Sequence, residues 1–132
     1  MQVQALGHVV LKVRDLERSE GFYSGNLGMR VISRIPEPRM AFFSFGNPGN
    51  HHDFALMEIG FQAPSPDDYA TGLAHVAFKV GSSVEELRLV RNVLNDSGTP
   101  VLYEAERGFA KSMHVLDPDG NEIELYVSTS DV

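Results

Sequence analysis

Leu6-Gly7-His8-Val9-Val10-Leu11-Lys12-Val13 returns as Leu73-Ala74-His75-Val76-Ala77-Phe78-Lys79-Val80, so that His8 and His75 stand about half the chain apart. Each stretch is short and rich in β-branched residues, with polar and apolar positions alternating, which is the pattern of a half-buried strand. On strand parity His8, Val10 and Lys12 share one face, and Val9, Leu11 and Val13 take the other. A second pair keeps nearly the same offset: Leu56-Met57-Glu58-Ile59 matches Glu122-Ile123-Glu124-Leu125, which sets Glu58 against Glu124. Two strands carrying a His and two carrying a Glu, repeated at half the chain length, predict a pair of half-domains. Such a pair would bring two imidazoles and two carboxylates to one point, which is the composition of a metal site.

The order of elements around these stretches is the same in both halves. After the first strand, Asp15 offers a helix cap, and Leu16, Ser19, Phe22 and Tyr23 follow at helical spacing until Gly25-Asn26 and Gly28 end the helix. Strands are predicted over 29–33, 40–45 and 53–59, separated by Pro36-Glu37-Pro38 and by Gly46-Asn47-Pro48-Gly49-Asn50. A polar linker covers 63–72, and the order restarts at Leu73. Ser83-Val84-Glu85-Glu86 has the form of a capping box, and Val84, Leu87, Val90 and Leu94 form an apolar stripe. Strands are then predicted over 101–104, 112–116 and 122–127, with Asp117-Pro118-Asp119-Gly120-Asn121 as a tight turn. Each half therefore reads β-α-β-β-β: module 1 over about 1–62 and module 2 over about 73–128 of a single domain spanning 1–132. One module alone leaves an uncovered sheet face, so two are expected to pack together. The predicted fold class is α+β, two βαβββ modules forming a curved mixed sheet around a cavity with helices outside.

Composition removes several functions. The chain has no cysteine, which excludes disulfides, thiolate metal sites and a Cys nucleophile. Its net charge is −7, with no cluster of Lys and Arg, so neither nucleic acid nor an anionic membrane surface is expected as a partner. No apolar run approaches membrane-spanning length. Met1 to Ala5 leads straight into the first strand pattern, so no signal peptide is expected and the default location is cytoplasmic.

The motifs resemble the vicinal oxygen chelate superfamily, which holds glyoxalase I, type I extradiol dioxygenases, fosfomycin-resistance enzymes and bleomycin-binding proteins. The resemblance rests on Gly7-His8-Val9, Arg14 to Ser19, Phe22-Tyr23 and Leu27-Gly28-Met29 in the first half. In the second half it rests on His75-Val76-Ala77-Phe78 and Asp117 to Leu125. It covers essentially the whole chain, but one scaffold hosts several chemistries. It implies that His8, His75 and Glu124 bind a divalent metal. Two imidazoles and one carboxylate with open positions suit non-haem Fe(II), which is the favoured ion, with Ni, Zn or Mn as other occupants. Glu58, the partner of Glu124 in the repeat, matches the fourth ligand of glyoxalase-type members. Glu122 shares parity with Glu124 and is read as a solvated strand-end charge.

Asn50-His51-His52-Asp53-Phe54-Ala55-Leu56 resembles the His-His stretch of type I extradiol dioxygenases, in which the second His is the acid–base residue. That position is His52, which shares strand parity with Phe54, Leu56 and Glu58 and is expected on the face of Glu58. An imidazole suits proton transfer near neutral pH. His51 is read as a solvated loop residue. His114 stands ten positions before Glu124, where extradiol members carry a Tyr that hydrogen-bonds substrate, and it is the second catalytic candidate. Residues 103–111, with Tyr103, Arg107 and Lys111, are expected to form a flap. Phe42, Phe43 and Phe45 are assigned to core and pocket wall.

The reading that follows is a metal-dependent enzyme of the extradiol-dioxygenase type, acting on a catechol-like small molecule with O2. The competing reading is a glyoxalase- or epimerase-type proton transfer, in which Glu58 completes a four-ligand site. A protein that sequesters a small aromatic ligand ranks third, because this chain keeps the ligand set. The resemblance also implies a homodimer.

Overall fold

The computed structural model describes residues 1–129 and divides the chain into two compact units, Met1–Pro64 and Ser65–Val132. The division falls inside the polar stretch expected as a linker. The first unit runs β1 (Val9–Val13), α1 (Leu16–Glu20), β2 (Arg30–Pro36), β3 (Arg39–Ser44) and β4 (Phe54–Glu58). The second runs β5 (Val76–Gly81), α2 (Val84–Asp96), β6 (Tyr103–Arg107), β7 (Ala110–Leu116) and β8 (Glu122–Ser128). Both are βαβββ, and each forms a four-stranded mixed sheet. The strand orders are β1-β4-β3-β2 and β5-β8-β7-β6, with the first strand of each unit parallel to its last.

In the first unit α1 continues as a wider π-helical turn over Gly21–Asn26, which buries Phe22 and Tyr23. Tyr23 meets Phe54, and Phe54 meets Phe43, so one face of the sheet is filled by aromatic rings. Val9 lies opposite Phe54 across the parallel pair, which puts Val9, Leu11 and Val13 on this helix-covered face with Phe54, Leu56 and Glu58. His8, Val10 and Lys12 therefore turn to the other face, with Ala55 and Phe42. Gly28 ends the helical segment at φ 73°, where a side chain would be strained.

In the second unit α2 packs on β5 and β8 through Leu87 and Leu94, both buried. Val84 is exposed, so the inward stripe is narrower than the sequence pattern implied. The Ser83 half of the capping box forms, its hydroxyl accepting from the Glu86 N–H at 3.2 Å, whereas the Glu86 carboxylate accepts from the N–H of Ser82, one residue before the cap, at 3.4 Å. Met113, Val115, Ile123, Leu125 and Val127 form the buried face of β7 and β8. The predicted flap is instead the β6–β7 hairpin, closed at Gly108-Phe109. Lys111 lies on its helix side, lining a cleft with Val84, Leu87 and Glu104, whereas Arg107 belongs to the opposite face by parity. These two side chains therefore cannot act together as a lid on one face.

Candidate metal centre and acid–base histidines

Each unit assembles polar side chains on the sheet face away from its helix. In the first unit the organiser is Asp53. Its carboxylate accepts from the Phe45 N–H at 2.7 Å, from Asn47 Nδ2 at 2.8 Å and from Asn50 Nδ2 at 2.9 Å. These donors hold the Asp53 carboxyl below its ordinary pKa, against the opposing effect of burial. Asn50 also donates to the Gly7 carbonyl at 2.8 Å, tying the loop to the residue before His8. The Val9 N–H donates to the Asp53 carbonyl at 3.3 Å, and the Asp53 N–H donates to the Phe43 carbonyl at 2.9 Å. The loop that carries His52 is thus fastened to the strand that follows His8.

The result is a stack of rings. His8 and His52 lie with ring centroids 4.4 Å apart, and Phe42 meets His52 edge-on at 4.9 Å. His52 precedes β4, so strand parity with Glu58 does not govern it: its ring joins His8 and Phe42 on the face opposite Glu58. His51 is exposed, and its Nδ1 lies 3.2 Å from His52 Nδ1. Burial lowers the His52 pKa, and the neighbouring His8 and His51 lower it further, so the ring is neutral at neutral pH.

Glu58 lies elsewhere. Its Oε2 accepts from the Leu16 N–H at 2.9 Å and from Arg39 Nη1 at 2.8 Å. Asp15 occupies the helix N-cap position but makes no side-chain capping bond, so Glu58 satisfies the first free N–H of α1 in its place. Asp15, Glu17 and Glu58 each offer a carboxylate oxygen within 4.8 Å of the others, a spacing a cation could use. A guanidinium already serves there, since Arg39 bonds both Glu17 and Glu58. The hydrogen bond from Arg39 is the main cause that lowers the Glu17 pKa to about 2.

Register explains why Glu58 departs from the repeat. The parallel pairs align Val9 with Phe54 and Val76 with Ile123, so Phe54 of β4 corresponds to Ile123 of β8. By that alignment Ala55 corresponds to Glu124, and Glu58 corresponds to Val127. The match of composition instead sets Glu58 against Glu124, an odd number of positions away. An odd slip moves a side chain to the other face of a sheet.

The second unit gathers its polar groups on one face across β5, β8, β7 and β6. Glu124 lies opposite both Ala77 and His114, and His114 lies opposite Tyr103. His75 Nε2 is 3.3 Å from Glu124 Oε1, and His114 Nε2 is 3.5 Å from the same oxygen. His114 is buried, at 4% exposure, with its Nδ1 2.9 Å from Glu122 Oε2. Tyr103 donates its hydroxyl hydrogen to that oxygen at 3.0 Å and stacks on the His114 ring at 4.2 Å. Burial works to raise the Glu122 pKa, but the His114 and Tyr103 hydrogen bonds outweigh it and leave the carboxyl below its ordinary value. Glu122 is therefore no idle strand-end charge. The sequence holds a signal for it, because Glu122 and Glu124 share a face on any register. The turn before them is fixed by Asp117, whose carboxylate accepts from the N–H groups of Asp119 at 2.9 Å and Asn121 at 2.8 Å.

The profile of the Glyoxalase/Bleomycin resistance protein/Dioxygenase superfamily matches residues 5–125. The chain belongs to that superfamily. Among its relatives, lactoylglutathione lyase of Escherichia coli O157:H7 is 32% identical over 125 residues, covering 89% of this chain and 88% of the relative. Biphenyl-2,3-diol 1,2-dioxygenase 3 of Rhodococcus globerulus is 29% identical over 126 residues, covering 92% of this chain but 62% of the dioxygenase. A solved glyoxylase/bleomycin resistance protein/dioxygenase domain from Frankia sp. EAN1pec shares the fold, with a TM-score of 0.79 at 24% identity over 97% of this chain and 100% of that one. The superfamily and the two-module α+β fold are as the motifs implied. The ring-cleavage reading is not singled out: the lyase is the more similar of the two enzymes, and it matches over more of its own length. No helix among the described residues is long and apolar enough to cross a membrane.

Proposed function

We propose that the protein is a metal-dependent enzyme that binds a small molecule through two adjacent oxygens and catalyses a proton transfer of the glyoxalase type. The observation that carries this reading is the His8–His52 pair at 4.4 Å, which sets a neutral imidazole against a proposed metal ligand. The lyase relatives favour proton transfer as the reaction. We propose His8, His75 and Glu124 as ligands. Two imidazoles and a carboxylate fit a divalent ion chemically, and the approach of His75 Nε2 to Glu124 Oε1 supports the choice. When bound, the ion would act as a Lewis acid that polarises the two substrate oxygens.

The chain's own residues supply the rest. His52 is the base. Its Nδ1 faces His51, which leaves Nε2 to take a proton from the substrate and return it to the neighbouring atom. Phe42 packs edge-on against that ring and limits its rotation. Glu58, held by Leu16 and Arg39, is not proposed as a ligand or a base.

A second reading has its own support. Ala55 corresponds to Glu124 in the register, so the carboxylate count is that of a three-ligand site, and His51-His52 precedes Phe54-Ala55-Leu56 as in extradiol enzymes. In that reading His52 takes the proton of a catechol hydroxyl, and the substrate reacts with O2.

One assay pair separates the two. Protein loaded with Ni(II) or Zn(II) is given a hemithioacetal, and protein loaded anaerobically with Fe(II) is given a catechol panel and then O2. Isomerisation without O2 uptake supports proton transfer. O2 uptake with the catechols and no isomerisation replaces it with ring cleavage, and inertness in both arms removes the enzyme reading.

A further inference from the structure

The second unit holds a polar chain built around His114. Tyr103 and Glu122 meet at 3.0 Å, Glu122 and His114 at 2.9 Å, and His114 and Glu124 at 3.5 Å. The four residues come from three neighbouring strands and share one face. Tyr103 lies opposite His114 in the β6–β7 pair, and His114 lies opposite Glu124 in the β7–β8 pair. An imidazole buried on an apolar sheet is costly unless its ring nitrogens are satisfied. Here one nitrogen is bonded to Glu122, and the other lies 3.5 Å from the oxygen that His75 also approaches. Tyr103 closes the stack from outside, nearly parallel to the imidazole at an interplanar angle of 15°. The ring can therefore neither swing nor flip without losing the Glu122 bond.

We propose that Glu122 and Tyr103 act through His114 as a positioning chain that fixes the direction in which Glu124 presents its carboxylate. The inference rests on Glu124 being a metal ligand, as proposed above. His114 is then a positioning residue that acts through Glu124. Glu122 holds the His114 ring through Nδ1 and so fixes where Nε2 lies beside Glu124 Oε1. Carboxylate–imidazole partners of this kind hold metal ligands in other proteins, and their loss weakens metal binding by about 10–100-fold.

The test is a set of metal-binding titrations with Ni(II) or Zn(II) under chelator competition, on the full chain and on Glu122→Gln, His114→Ala, the double variant and Tyr103→Phe. Glu122→Gln keeps the size of the side chain and removes its charge. The expected result is a Kd raised about 10-fold or more in Glu122→Gln and in His114→Ala. The double variant should be no weaker than His114→Ala, because Glu122 acts only through that ring. Tyr103→Phe should give a smaller loss in the same direction. Thermal unfolding of the metal-free proteins checks that the Glu122→Gln fold is intact, a condition that a purely structural role would break before it moved the Kd. Wild-type affinity in Glu122→Gln overturns the proposal, as does full additivity in the double variant. If the wild-type chain itself binds no metal, the ligand assignment fails first and the positioning role falls with it. If the wild type binds metal and only Glu122→Gln is silent, the ligand assignment stands and the positioning role does not.

Discussion

Glu58 and Glu124 carry the same functional group and have opposite fates. Glu124 faces two imidazoles across an open sheet face. Glu58 satisfies the Leu16 N–H and shares Arg39 with Glu17 on the helix-covered face. The Glu17–Arg39 contact makes a direct prediction about pH. Glu17 titrates at about 2 in the folded chain against an ordinary 4.5, so its stabilising contribution is full above about pH 4.5 and is lost as pH falls through about 2. Replacing Arg39 with Met should raise the Glu17 pKa toward its ordinary value and weaken that part of the acid sensitivity, as read by NMR titration of the side-chain carboxyl. His52 is the proposed base. As the base it should account for about 10²–10⁴ of the rate, so His52→Gln should lose that factor in kcat while circular dichroism and metal content stay at wild-type values.

Among the elements, the β3–β4 loop holds His52 and the β7–β8 turn leads into the strand of Glu124, and each depends on one aspartate. Asp53 gathers three donors and Asp117 gathers its own turn, which leaves the strand ends after them in fixed register. Asp53→Ala strands those donors and frees the loop from Gly7. A loss of about 1–3 kcal/mol in denaturant unfolding is expected, with a larger fall in activity than His51→Ala produces. Helices and strands were legible from their patterns, including the Ser83 N-cap, because periodicity and caps are local. The Asp15 cap was not, because the group that satisfies the Leu16 N–H arrives from the far end of β4, distant in the chain. His52 illustrates the same limit: parity applies to strand residues, and His52 lies in the loop before the strand.

For the whole molecule, the repeat revealed two like-built units, and the topology repeats strand for strand. What it misjudged was register. The loop lengths differ between the units, so the His-bearing strands and the last strands do not correspond at one common offset. Matching Leu-Met-Glu-Ile to Glu-Ile-Glu-Leu by composition slid β4 by an odd step and put Glu58 on the wrong face. Sheet pairing corrects this because a hydrogen-bonded ladder fixes which residue lies opposite which, and composition does not.

Glu124 is the proposed carboxylate ligand, whereas Glu58 bonds the start of α1. Metal content and affinity of purified Glu124→Ala and Glu58→Ala, measured beside the wild type, test that assignment. Glu124→Ala is expected to lose stoichiometric metal. Glu58→Ala should keep it while losing about 0.5–2 kcal/mol of stability, as for loss of a helix cap. Loss of metal in Glu58→Ala with retention in Glu124→Ala would contradict the assignment.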